Sequence, residues 1–157
     1  MEPELRRQQS MAAAHFYSLS SQPEEEALTS ALQYAKNNGL TEKTSRLLGR
    51  NIYLTDKPEP HGYEYYLAAD RTRLIGNASL GEVSGGLYAV VEVKGILSLP
   101  EGWKNLLEWA AANGYRAVGV KMGPHGWVNS AYEELLDWTQ QKPPEEWHFR
   151  LWIQLCE

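Results

Sequence analysis

The sequence has one cysteine, Cys156, two phenylalanines, and no basic run longer than Arg6-Arg7. A lone cysteine excludes an intrachain disulfide and any cysteine-based metal site. A net charge of -5 without a basic stripe argues against direct nucleic-acid contact. No apolar run approaches membrane-spanning length and the N-terminus lacks a signal-peptide core, so a cytoplasmic protein without a membrane role is expected. The histidines His15, His61, His125 and His148 share no metal-ligand spacing. Gly85-Gly86 precedes a strand rather than a helix, so it is not a phosphate loop. No Gly-x-Ser-x-Gly nucleophile motif occurs. No cofactor and no metal are expected.

What the chain does have is Tyr and Trp, nine and six of them. Their rings pair an apolar body with a polar tip, which suits a surface that is half apolar and half wet, such as a binding cleft. Length and composition (157 residues, 43% hydrophobic and 22% charged) fit one globular domain with a real core. Residues 1–11 read as a flexible or helical lead-in, and 12–157 as the domain.

Ala12 to Leu19 reads as a first strand. Ser21-Gln22-Pro23-Glu24 is a capping-box pattern with Pro in the first turn. Leu28, Ala31, Leu32 and Ala35 then form one helical stripe, and Asn38-Gly39 stops it. Arg46 to Leu54 and Tyr63 to Ala69 form a hairpin around a turn-forming loop from Thr55 to Gly62. On its second strand Tyr63, Tyr65 and Leu67 share one face, and Glu64, Tyr66 and Ala68 the other. Asp70 to Val83 is a polar connector with room for a short strand.

The pattern then recurs. Gly85 to Gly95 is a strand, Ser98-Leu99-Pro100-Glu101 a second capping box, and Trp103, Leu106, Leu107 and Ala110 a second stripe ending at Asn113-Gly114. Stripe positions move by a constant 75 residues, from Leu28 to Trp103 and from Leu32 to Leu107. Arg116 to Lys121 reads as a short strand, and Trp127 to Trp138 as helical or extended. Trp147 to Leu155 is the last strand, with Phe149, Leu151 and Ile153 facing the core and His148, Arg150 and Trp152 facing away. The predicted fold is α+β in two layers: duplicated strand-helix-hairpin units, about 12–70 and 83–155, related by a pseudo-twofold axis. An aromatic-lined central cleft lies between them, and the sheet face away from the helices is left partly open.

Four stretches carry a family resemblance: Arg46-Leu47-Leu48-Gly49 leading through a Pro-rich loop to Gly62-Tyr63-Glu64; Val83 to Val90; Trp103 to Tyr115; and Tyr132-Glu133-Glu134-Leu135-Leu136 before a Pro/Glu loop and terminal strand. In this order the chain resembles the GyrI-like effector-binding family over roughly Ala12 to Leu155. The resemblance implies a tandem SHS2-like fold whose cleft is lined with aromatics and holds a carboxylate. Drug-sensing members bind flat, often cationic, lipophilic compounds. Some stand-alone members are similar to hydrolases that open cyclopropanes of DNA-alkylating natural products, and others bind DNA gyrase. A departure is Arg150, at the position where many relatives carry an acid; an Arg in the cleft would disfavour a cation.

The candidate ligand-binding residues are therefore Tyr63, Glu64, Tyr66, Trp127, Tyr132, Glu133, Arg150 and Trp152. Glu64 is read either as a ligand-facing carboxylate with a raised pKa, or as an exposed strand residue or an ion-pair partner of Arg150. Glu133 follows an aromatic residue, as the family's acid does. Trp138 and Trp147 are further candidate walls, Trp147 with the character of core, as is Trp103 on its helix stripe; Trp109 suits an edge. His125, in its turn, is either at the cleft mouth or an ordinary loop residue. The expected function is a stand-alone domain, monomeric or homodimeric, that senses or sequesters a flat aromatic or lipophilic small molecule. One alternative is a hydrolase of strained electrophiles in which Glu64 or Glu133 activates water. Another is a protein-interaction module similar to gyrase inhibitors.

Overall fold

Strand β4 (Gly62–Ala69) sends Tyr63, Tyr65 and Leu67 to one side of a sheet and Glu64, Tyr66 and Ala68 to the other, and both sides are buried. This strand shows how the chain is built. In the computed structural model, which describes residues 2–54, 62–70, 74 and 79–157, two helices cover one face of a curled antiparallel sheet, and the other face closes on its own side chains. The strands are β1 (Glu4–Gln8), β2 (Met11–Ser18), β3 (Ser45–Ile52), β4, β5 (Ser79–Val83), β6 (Gly86–Lys94), β7 (Lys121–Gly123), β8 (Gly126–Val128), β9 (Ala131–Leu135) and β10 (His148–Gln154). Helix α1 spans Pro23–Asn37 and α2 spans Leu99–Ala112. Among the described residues, no helix is long and apolar enough to cross a membrane.

The large sheet runs β1-β6-β10-β9-β3-β4-β2-β5, and β7 and β8 form a separate hairpin. From either end inward, an edge strand is followed by the strand that leads into a helix, and then by the hairpin that follows that helix. The first strands of the two hairpins, β3 and β9, meet in the middle. Each outer strand pairs across the molecule: β1 with β6, and β5 with β2. The helices lie on the same face, α1 against β2 and β4 and α2 against β6 and β10.

Several expectations change. Glu4–Gln8, expected as a helical or frayed lead-in, is an edge strand whose register runs from Glu4 opposite Val90 to Gln8 opposite Gly86. The capping boxes are not made. The N-cap residues are Gln22 and Ser98, and neither makes a side-chain cap hydrogen bond. The Ser20 hydroxyl instead accepts the Gln22 N–H, and a 3-10 turn at Ile96–Ser98 runs directly into α2, so Pro23 and Pro100 in the first turns mark the starts. The stops hold: Gly39 and Gly114 adopt positive φ (66° and 81°) just past the helix ends. Leu107, assigned to the apolar stripe, is 49% exposed; the buried stripe is Gly102, Leu106 and Ala110. Arg116 to Lys121 keeps only a bridge between Ala117 and Leu155 before β7 begins, and Trp127 to Leu135 is extended in β8 and β9. The predicted loop lies outside the described residues from Thr55 to His61, as does part of the Asp70–Val83 connector.

The face away from the helices is closed rather than partly open. Tyr66, Tyr88, Tyr132 and Trp152 are buried there against Leu48, Val83 and Val90. This face also buries charge. Glu64 accepts hydrogen bonds from Arg50 Nε (2.6 Å), the His15 ring N–H (Nε2, 2.8 Å) and the Tyr66 hydroxyl (3.0 Å). A buried carboxylate is tolerated only when its acceptor sites are filled, and here three donors fill them. Burial alone would raise the Glu64 pKa. The hydrogen bond from His15 and the charge and hydrogen bond of Arg50 outweigh that and hold it below the ordinary range.

Glu64→Ala leaves Arg50 buried without its counter-charge, so unfolding should become easier by about 3–5 kcal/mol in urea. A loss below about 1 kcal/mol would remove Glu64 from the scaffold. Because the folded carboxyl has the lower pKa, its stabilisation is present above 4.5 and is lost as pH falls through the depressed value. Acid unfolding of the Glu64→Gln variant should therefore be less steep than that of the parent.

Candidate functional site

Strands β3 and β9 are joined by only three residue pairs: Leu47 with Leu135, Leu48 with Glu134, and Gly49 with Glu133. Beyond Gly49 the strands part, and a cleft of about 480 Å³ opens on the helix face. Its floor is Gly49, Asn51, Ala131 and Glu133; Leu99, Pro100 and Trp103 at the start of α2 form one wall, with Tyr53, Val118 and Ser130 also lining it.

Glu133 is the chemical centre. The Tyr63 hydroxyl donates to Oε2 (3.2 Å) and the Trp103 indole N–H donates to Oε1 (3.1 Å). Both donors are neutral, so neither balances the carboxylate's charge. Desolvation raises the Glu133 pKa, and the two hydrogen bonds only partly offset it. Glu24, an exposed residue in the first turn of α1, lies near enough for its charge and that of Glu133 to interact. Its carboxyl is also raised, first by lost solvation and then by the charges of Glu133 and Glu25. Tyr63 is raised well above 10.0 by burial, then by Tyr65 and Glu133, so it stays a hydrogen-bond donor at any ordinary pH. Tyr53 is raised by burial and by Glu133.

Gly49 makes this geometry possible. A Cβ there would lie 2.6 Å from the Tyr63 ring and 2.8 Å from the Tyr65 ring. The two tyrosines lie across the β3 backbone because nothing projects from it, and that position carries the Tyr63 hydroxyl to Glu133.

The predicted site residues separate into distinct places. Tyr63 and Glu133 meet in the cleft. Glu64, Tyr66 and Tyr132 lie on the opposite face, in or beside the buried network with Arg50, whose guanidinium lies 4.6 Å from the Tyr132 ring. The pKa of Glu64 is lowered rather than raised, and its cationic partner is Arg50, not Arg150. Arg150 pairs with Glu92 (2.5 Å) and Glu134 (3.4 Å), so it neither lines the cleft nor closes it. Trp152 donates its indole N–H to Glu134 (2.9 Å) beneath the Arg46 guanidinium. Trp127 sits in β8, where it exchanges backbone hydrogen bonds with Tyr53 at the edge of the cleft. His125 stacks on Tyr17 (3.5 Å between ring centroids), away from the cleft.

Sequence reasoning assigned Trp103 to the core and did not single out Glu24, Gly49, Tyr53 or Tyr65. The accessible signal was the alternation itself. If the helices cover the Tyr63 face, an acid able to meet Tyr63 must come from a neighbouring strand on that same face. The resemblance favours Glu133 over Glu134, and the β3–β9 register pairs Glu133 with Gly49 on that face.

No protein-family model matches the chain, and a comparison with curated proteins gives no sequence match. Solved structures do share its fold. The chain is similar to the EcmrR C-terminal domain, with 16% identity, 99% of this chain and 98% of that one covered, and a TM-score of 0.66. It is similar to SAV2435 bound to tetraphenylphosphonium, with 13% identity, 99% and 94% covered, and a TM-score of 0.54. It is also similar to a hydrolase from Listeria innocua, with 9% identity, 99% and 92% covered, and a TM-score of 0.62. At such identities the likeness establishes the fold.

Two outcomes test the site. Glu133→Gln keeps one oxygen to accept from the Trp103 indole N–H and turns its NH2 to the Tyr63 hydroxyl, which can accept, while it removes a desolvated charge. Because the folded pKa is raised, the carboxylate costs stability as pH rises above 4.5 through the raised value. The variant should therefore melt higher than the parent at neutral pH and no higher at pH 4. Gly49→Val should displace Tyr63, and the near-ultraviolet tyrosine signal of the folded protein should change. An unaltered Tyr63 environment in that variant would contradict the packing described.

Proposed function

We propose that the cleft binds a flat, lipophilic small molecule that carries a positive charge, and that the chain is a sensing or sequestering domain for such compounds. The observation that carries this reading is Glu133. It is a desolvated carboxylate held by two neutral donors, beside a second acid, with no cation bound to it among the described residues. Arg50 reaches the cleft wall, but its guanidinium is committed to Glu64, Tyr66 and the Asn129 carbonyl. With Arg150 engaged elsewhere, the objection to a cationic ligand falls away. Aromatic walls from Trp103 and Tyr53 supply apolar area worth roughly 25 cal/mol per Å² buried and a ring face that attracts cations. The bound lipophilic cation in SAV2435 supports the reading by analogy. We also read the chain as a duplicated unit about a pseudo-twofold axis through the β3–β9 seam, with the two-ended sheet order in support.

The same carboxyl favours a second reading. A general base needs a raised pKa and a cleft, and Glu133 has both, with Tyr63 as a hydroxyl donor for a leaving oxygen. A hydrolase among the structural neighbours is consistent with this.

Titration calorimetry with tetraphenylphosphonium and with neutral triphenylphosphine oxide separates the possibilities. The cation should bind at least about tenfold more tightly, a difference of about 1.4 kcal/mol. Glu133→Gln should abolish that preference, and affinity for the cation should decline as pH falls through the raised Glu133 pKa. Equal affinity for both compounds would sink the electrostatic argument. For the second reading, incubation with a cyclopropane electrophile should give a hydrated product by mass spectrometry, at a rate that climbs with pH to a plateau. Intact compound recovered after long incubation would exclude it.

A further inference from the structure

The two ends of the cleft are built differently. At the Gly49–Glu133 pair it is closed from both sides. The Tyr63 ring lies across the Gly49 backbone, and the Trp103 indole reaches Glu133 from α2. Each donates to one oxygen of the carboxylate, so ring, acid and indole together form a partition over the floor. The acid of the cleft lining therefore stands at a blind end. Arg50 also lines the cleft, but its guanidinium is spent on Glu64, Tyr66 and the Asn129 carbonyl.

The other end is apolar on the α2 side. Helix α2 runs in the same direction as β10. Gly102 packs on Leu151, which lies opposite Glu133. After the helix, Ala117 bridges Leu155 and the Val118 N–H donates to the Gln154 carbonyl (2.8 Å). Outward from Glu133 the lining is thus Ala131 with Ile153 opposite it, then Leu107, Ala117 and Val118, none of them charged. Asn51 and Asn129 stand on the β3 side. This outer end is open to solvent, with Leu107 49% exposed. From Leu151 to Leu155 the floor covers about 13 Å, at about 3.3 Å per strand residue. A zigzag of about ten carbons, with bonds of about 1.5 Å, reaches nearly as far.

We propose that the cleft selects its ligand by where the charge sits. It takes an elongated amphiphile with one terminal ammonium, which enters head first. The ammonium meets Glu133 at the blind end, and the apolar tail lies over Ala131 and Ile153 and leaves between Leu107 and Val118. Each Glu133 oxygen accepts once and keeps a second lone pair, so a protonated amine can donate to it where a quaternary centre cannot. The inference rests on the reading of the cleft as a cation site.

The test uses two isomers, n-decylamine and di-n-pentylamine. Both are protonated at neutral pH, one with its charge at the end of the chain and the other with its charge in the middle. In titration calorimetry below the micelle concentration, decylamine should bind at least about tenfold more tightly, because the isomer can lay only one of its two arms along the slot. From butylamine to decylamine, affinity should climb by up to about fourfold per methylene. Glu133→Gln should weaken both isomers. Leu107→Ser, at a half-exposed helix position, should weaken decylamine about fivefold more than it weakens butylamine. Equal affinity for the two isomers, each weakened by Glu133→Gln, overturns the head-first placement and leaves the cation reading standing. An equal loss for decylamine and butylamine in Leu107→Ser overturns the path of the tail. Decylamine binding that is absent, or untouched by Glu133→Gln, sinks the cation reading and this inference with it.

Discussion

The shortness of the β3–β9 seam is the constraint from which the rest follows. A central pair in an eight-stranded sheet would ordinarily continue until its strands ran out. Here it stops after three residue pairs, with Gly49 opposite Glu133. The parted strands leave a gap that neither helix fills, because α1 packs over β2 and β4 and α2 over β6 and β10. The last pair of the seam then furnishes the gap. A residue without a side chain lets two tyrosine rings cross the backbone, and its partner presents a carboxylate to one of them.

Glu64 and Glu133 show how position, rather than residue type, divides scaffold from site. Tyr63 and Glu64 are neighbours in β4, so they point to opposite faces. Glu64 enters a network with Arg50, His15 and Tyr66 that fills its acceptor sites and stabilises its charge. Tyr63 leads instead to Glu133, whose charge has no opposite among the described residues. Among the described residues, the first acid is fully answered and the second is not. An unanswered, desolvated carboxylate lowers stability, which is what marks the cleft rather than the Glu64 network as the candidate site.

Much of the framework was legible in the sequence. Alternation in Tyr63–Ala68 and Phe149–Ile153 assigned the correct residues to each face, because a period of two leaves no choice once a strand is fixed. Both helices were marked by Pro near the start and Gly past the end. The parts that were not legible depend on pairing across long separations. Glu4–Gln8 is too short and polar to declare itself a strand, and becomes one only because β6 offers an open edge. Arg50 stood unremarked because its partner is fixed by hairpin register. Arg150 was assigned to the cleft because the sequence does not show that Glu92 and Glu134 lie beside it on β6 and β9.

The crossing of the outer strands carries a consequence for how the chain folds. β1 precedes the first helix but completes the sheet beside β6, and β5 precedes the second helix's unit but completes the sheet beside β2. Both edges of the large sheet are thus closed by pairings between strands far apart in the chain. Pairings so distant along the chain must wait for loop closure that yields little until both halves are present, which gives a high contact order and slow, concerted folding. Once made, these pairings join all eight strands in one continuous sheet, so any movement that opens the cleft must bend the sheet as a whole rather than swing two separate bodies about a hinge.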